Sequence, residues 1–143
     1  MAIHQLSLFL ENRPCQLVTV TDILYREGIN IRAMSLADTQ DFGILRLIVD
    51  DADRAKQVLK ADNCIVSLTD VVAVAIEDRP GALAAVTKIL AEHEVNIEYM
   101  YAFVTTSKEY ACVVLRVNNN DRAEQLLLSA GIRLVTTEDV KKL

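Results

Sequence analysis

The residues that could do chemistry are few and scattered. The chain has two histidines, His4 and His93, and three cysteines, Cys15, Cys64 and Cys112, with no Cys-x-x-Cys spacing among them. A zinc site needs clustered thiolates and imidazoles, and nucleophilic catalysis needs a serine or cysteine beside a base; neither pattern occurs. The acidic run Asp50-Asp51-Ala52-Asp53 lacks the glycine and the distal glutamate of a calcium loop, and helix capping accounts for it, as it does for Asn118-Asn119-Asn120-Asp121. Glycines 28, 43, 81 and 131 never cluster, which excludes phosphate loops and dinucleotide fingerprints. His93 suits the negative end of a helix, and Cys64 and Cys112 fall within strands as inert side chains. The expectation is a protein that is not an enzyme, with no catalytic residue, no metal ligand set and no cofactor.

Recognition chemistry, by contrast, occurs twice. The segments Glu-Asn-Arg-Pro-Cys-Gln-Leu at 11–17 and Glu-Asp-Arg-Pro-Gly-Ala-Leu at 77–83 each read as a strand-to-helix turn. Such a turn presents free N–H groups and the positive end of the helix dipole, which suits a carboxylate, and Gly81 has no Cβ to keep a ligand from the backbone. The same residues could equally do no more than start a helix. A second pair, Gly28-Ile-Asn30-Ile and Glu94-Val-Asn96-Ile, puts an asparagine at a helix-to-strand corner. Its amide can donate and accept, as the charged groups of an amino acid require, although asparagine is also a common turn residue.

The elements that must position these residues repeat as well. Laying 11–34 on 77–100, an offset of 66, matches 11 of 24 positions, and farther along the offset becomes 68, where Asp53-Arg54-Ala55 meets Asp121-Arg122-Ala123. The chain is thus expected to hold two domains, 1–68 and 69–143, with no flexible linker between them. In each copy an alternating strand (Leu6, Leu8, Leu10; Val72, Val74, Ile76) leads through Pro14 or Pro80, placed as the first helical residue, into an amphipathic helix. Gly28 ends the first of these helices as expected, whereas Glu94 at the matching place does not suit that position. Two strands, a second helix with Ala55, Val58 and Leu59 (Ala123, Leu126 and Leu127) on its buried face, and a short last strand (65–68; 132–135) follow. This is α+β in class: two tandem ferredoxin-like βαββαβ domains, each an antiparallel sheet with its helices on one face. The positions read as the opposite face include Phe9, Met34, Ile44, Ile48, Ala73, Ala75, Met100, Cys112 and Val114. An apolar face of that kind implies self-association through sheet faces or edges.

Composition agrees with such a protein. The 143 residues are 52% hydrophobic and 5% aromatic, with Lys+Arg 15 against Asp+Glu 20 for a net charge of −5. With no basic cluster, neither nucleic acid nor a membrane is an expected partner. The start of the chain does not read as a signal peptide, no run of apolar residues is long enough to span a bilayer, and the odd, scattered cysteines suit a reducing compartment, so a cytoplasmic location is expected.

Two copies of Arg-Pro-x-x-Leu after a strand, each followed by a helix and by an (Ile/Val)-Asn-Ile corner, resemble the ACT domain, in tandem and over essentially the whole chain. The resemblance implies a ligand-binding regulatory module, usually for amino acids, whose domains pair side by side into an eight-stranded sheet with ligand at the joint. It implies a stronger site from Asp78, Arg79, Pro80, Gly81, Ala82 and Leu83 with Asn30. A weaker one would use Asn12, Arg13, Pro14, Cys15, Gln16 and Leu17 with Asn96, where Cys15 and Glu94 replace the pattern's glycines. The expected function is a free-standing, non-catalytic amino-acid sensor acting through allosteric regulation, probed by a small-molecule ligand and assembled as a homodimer. The alternative is a separate regulatory subunit of an amino-acid metabolic enzyme, similar in kind to the small subunit of acetolactate synthase.

Overall fold

The computed structural model describes residues 3–11, 14–38, 42–104 and 109–143. In chain order the elements are β1 (Ile3–Glu11), α1 (Pro14–Arg26), β2 (Ile31–Asp38), β3 (Phe42–Val49), α2 (Ala52–Ala61) and β4 (Ile65–Glu77). They continue with α3 (Ala82–Glu92), β5 (Ile97–Ala102), β6 (Tyr110–Val117), α4 (Asn120–Ser129), β7 (Arg133–Leu134) and α5 (Thr137–Lys142). The order β-α-β-β-α-β is present twice, but the expected strands at 65–68 and 72–76 are one continuous β4. Ser67-Leu-Thr-Asp70 contains neither glycine nor proline to break an extended run, so seven strands rather than eight occur among the described residues.

The chain divides within β4 into two compact units, His4–Thr69 and Ile3 with Asp70–Leu143. In the first unit the strands run β2-β3-β1-β4, with Leu6 opposite Leu47 and Leu8 opposite Leu45. These leucines pack against Val20, Ile23 and Leu24 of α1 and Ala55 and Leu59 of α2, so both helices lie on one face. In the second unit β7 and β6 flank β4, and β5 lies outside β6. Val72, Val74, Val113, Leu115 and Leu134 meet Val86 and Leu90 of α3 and Ala123 and Leu127 of α4. Each such fully buried aliphatic side chain contributes about 1.5–3 kcal/mol.

Each unit contains a β-bulge, and the bulges stand at equivalent places. Ile31 pairs with Val49 and Ala33 with Ile48, leaving Arg32 extra; Ile97 pairs with Val117 and Tyr99 with Arg116, leaving Glu98 extra. One extra residue reverses the side-chain alternation beyond it. Met34 therefore shares a face with its partner Leu47, and Met100 with Leu115, so both lie on the helix side and not on the opposite face where strict alternation puts them. Tyr99 and Tyr101 take the opposite face and stack at 6.5 Å.

Of the other residues assigned to the opposite face, Ile48, Ala73, Ala75, Cys112 and Val114 are buried, while Phe9 is 52% exposed and packs at 5.8 Å against Phe42. In the second unit part of this face is covered by α5, an element the hydrophobic pattern does not announce. Thr136 and Asp139 form a reciprocal capping box, Val140 is buried, and Asp139 pairs with Arg133 at 3.4 Å. Arg133 points away from its core neighbour Leu134, on the side of Cys112. Burial pushes the Cys112 thiol up, Arg133 pulls it down and Asp139 raises it; the Arg133–Asp139 pair, with Arg133 opposite Ala75, sets α5 on that side. Among the described residues no helix is long and apolar enough to cross a membrane.

Candidate functional site

The turn from β4 into α3 is built by backbone geometry. Glu77 pairs with Tyr110 as the last residue of β4, and the N–H of Asp78 donates to Glu109 O at 3.3 Å. The N–H of Arg79 then donates to Glu77 O at 2.9 Å, and that of Ala82 to Arg79 O at 3.3 Å. Gly81 sits at φ +91°, where an L side chain is strained, and an added Cβ would meet nothing within 4 Å. The glycine therefore serves the backbone angle and leaves open space above the helix start. A residue at that angle cannot be helical, so α3 begins at Ala82 and Pro80 stands ahead of it rather than as its first residue. Pro14 does open α1, where Cys15 replaces the glycine and is helical.

Helices α2, α4 and α5 are capped by the side chains of Asp51, Asn119 and Thr136, whereas Gly81 offers none to α3. Among the described residues the N–H groups of Leu83 and Ala84 make no hydrogen bond. These two donors and the helix dipole form an anion-accepting end. Arg79 adds a guanidinium, held by the Glu77 carboxylate and donating to Pro80 O at 3.5 Å. A groove of about 420 Å³ adjoins the turn, lined by Ile76, Arg79, Ala82, Val86, Tyr110 and Ile132 among others. Asp78, Pro80 and Gly81 are exposed outside it, and Leu83 is 38% exposed.

In the first unit, Asn12 and Arg13 lie outside the described residues, while Pro14, Cys15, Gln16 and Leu17 form the first turn of α1. Leu17 is packed against the core of that unit, unlike its counterpart Leu83.

The asparagine corners are also built alike. The N–H of Asn30 donates to Asp50 Oδ1 at 3.1 Å and the N–H of Asp50 returns to Asn30 O at 3.2 Å. Asn96 and Asn118 repeat the pair at 3.0 and 3.2 Å. Among the described residues only the backbone of each corner asparagine is engaged, and both residues are exposed. The runs 50–53 and 118–121, expected to cap helices, do so through Asp51 and Asn119, while Asp50 and Asn118 hold the corners. The available signal was their equivalence under the repeat, each five residues before its second helix's buried alanine.

Each corner follows a helix end in which one residue takes the left-handed conformation. Gly28 at φ 67° and Glu94 at φ 59° are equivalent, and Asn63 and Gly131 end α2 and α4 in the same way. The closing bonds Ile29 N to Leu24 O, Cys64 N to Leu59 O, Val95 N to Leu90 O and Ile132 N to Leu127 O span 2.9–3.0 Å. Glu94 therefore does what a glycine does, at a steric cost. His93 Nδ1 lies 2.9 Å from Ile89 O at the same helix end, in keeping with a role at the helix terminus. A second groove, of about 410 Å³, runs along this corner past Thr87, Ala91, Glu94, Val95, Asn96 and Ile97.

Two antiparallel α+β units, each with an asparagine corner, define the ferredoxin-like class. A family model described as an ACT domain pair matches residues 1–143, and the chain belongs to that family. It is similar to protein BT0572 from Bacteroides thetaiotaomicron, at 41% identity and a TM-score of 0.94, over 100% of this chain and 98% of that one. The regulatory subunit of aspartate kinase from Thermus thermophilus, in its ligand free form, shares the fold at 19% identity and a TM-score of 0.65, over 89% of this chain and 91% of that one. Aspartate kinase from Synechocystis does so at 24% identity and a TM-score of 0.59, over 94% of this chain and 26% of the kinase. The chain matches no curated protein.

Proposed function

We propose that the chain is a non-catalytic regulatory protein that binds a free amino acid where the strand-to-helix turn of one ACT domain meets the asparagine corner of another. The assigned domains are 1–68 and 69–143, working in the cytoplasm as a homodimer. The observation that carries this reading is the Gly81 turn. It leaves the Leu83 and Ala84 N–H groups without partners at an uncapped helix start, under open space that a carboxylate can enter. The stronger site uses 78–83 with Asn30, whose amide is free of the corner's own hydrogen bonds. The weaker uses 12–17 with Asn96, where Leu17 is drawn into the core.

A thermal-shift screen of the twenty amino acids, followed by calorimetry, tests this, because a ligand at a hundred times its Kd stabilises the native state by about 2.7 kcal/mol. Asn30→Ala is expected to abolish the tighter site and Asn96→Ala the weaker. Absence of any shift with all twenty would end the reading. Retention of a stable large partner in a pull-down would instead favour a regulatory subunit of an amino-acid metabolic enzyme.

A further inference from the structure

Glu94 occupies a backbone position that its own side chain disfavours. Three of the four left-handed helix ends carry Gly28, Asn63 and Gly131, residues suited to a positive φ, and the fourth carries a glutamate. No contact of its own side chain compensates. Among the described residues no hydrogen bond or ion pair involves the Glu94 carboxylate; the nearby Lys88 pairs with Glu92 at 4.0 Å, and His93 turns to Ile89 O. The charge also sits at the carbonyl end of α3, where the helix dipole adds to its negative potential. Among the described residues the Asn96 side chain beside it makes no hydrogen bond, and it can present its carbonyl oxygen.

The groove of about 410 Å³ gives these acceptors a setting. Its lining joins Ala91, the buried Val95 and the half-buried Ile97 with Thr87 and the exposed Glu94 and Asn96. At the equivalent places the first unit has Tyr25 for Ala91 and Gly28 for Glu94. The second corner has thus lost a ring and gained a carboxylate. An open groove with aliphatic side chains beside unpaired acceptors suits a methylene stem tipped with a cation.

We infer that Glu94 makes the Asn96 corner a subsite for a cationic group, so that this corner takes a basic amino acid by its side-chain ammonium or guanidinium. The inference rests on the amino-acid reading above and assigns a ligand class to the weaker site. The glutamate in place of glycine is then a specificity determinant, and the two corners of one chain differ in the charge of the ligand they accept.

The test is calorimetry on the full chain with L-lysine and L-norleucine, which share a four-carbon stem and differ in the terminal ammonium, together with amide chemical shifts on adding cadaverine. Lysine is expected to bind about tenfold more tightly than norleucine, and Glu94→Gln to remove that preference while leaving norleucine unchanged. Glu94→Gly should lose the preference too, while raising the melting temperature. That combination separates a ligand-binding role from a structural one. Equal binding of lysine and norleucine, or a preference that survives Glu94→Gln, would overturn the inference and leave the amino-acid reading standing. If neither amino acid binds but cadaverine shifts the Glu94 and Asn96 amides, the cation subsite stands, and the amino-acid reading falls only when the screen of all twenty is also blank. No response to any of the three overturns the inference, and the screen of all twenty amino acids then decides the amino-acid reading.

Discussion

Exchanging the residues at the two equivalent helix ends tests the backbone reasoning most directly. An L residue in the left-handed region costs about 1–2 kcal/mol, and glycine costs about 0.5–1 kcal/mol in lost chain freedom. The difference makes Glu94→Gly stabilising by about 0.5–1 kcal/mol, since Glu94 has φ 59° and the Val95 N to Leu90 O bond needs no side chain. Removing a negative charge from a helix C-terminus adds about 0.3–1 kcal/mol at low salt, a part that screening erases. Glu94→Gln isolates that electrostatic part because it keeps the Cβ and removes the charge. The reverse change, Gly28→Ala, meets no steric neighbour within 4 Å but holds φ 67°, and it is expected to cost about 1 kcal/mol. For a cooperative unit of this size 1 kcal/mol moves the melting temperature by about 4–8 °C. The assay is calorimetric or circular-dichroism melting of the three variants at low and high salt. If Glu94→Gly melts at or below the parent at high salt, the positive φ carries no cost and the reasoning fails.

Two further outcomes are expected. Asn118→Ala removes the acceptor of the Asn96 N–H and should destabilise by about 0.5–1.5 kcal/mol in chemical denaturation, whereas Asn96→Ala, which spares that bond, should be nearly silent. Asp139 is held below the ordinary aspartate value of 3.8, first by the backbone N–H of Thr136 and also by the Thr136 hydroxyl and Arg133, against desolvation. A carboxylate with a lowered folded-state pKa stabilises above its unfolded pKa, and that contribution is lost as pH falls through the folded value. Parent and Asp139→Asn should therefore differ in melting temperature near neutrality and converge in strong acid; a constant gap at all pH values would remove Asp139 from the account.

Much of the site was legible because its signals are local. The Gly81 turn follows from a glycine after Arg79-Pro80, and the corners follow from the repeated asparagines. The helix start was misplaced by two residues because proline at a first helical position and proline before a left-handed glycine read alike in sequence. The faces of Met34 and Met100 were misread because alternation assumes an unbroken ladder.

The sequence by itself determined the twofold repeat, through self-similarity, and the order and buried aliphatic faces of the elements before α5, through periodicity within a dozen residues, though not that two of its strands are one β4. Tertiary structure decided the rest. The bulges at Arg32 and Glu98 exist only relative to β3 and β6, because an extra residue is extra only against a partner strand. Asp50 and Asn118 became corner clamps only once the chain brought them back 20 and 22 residues later to Asn30 and Asn96. Glu94 adopts a glycine's angle because the Val95 N to Leu90 O closure and the buried Val95 hold it there, against the preference of its own Cβ.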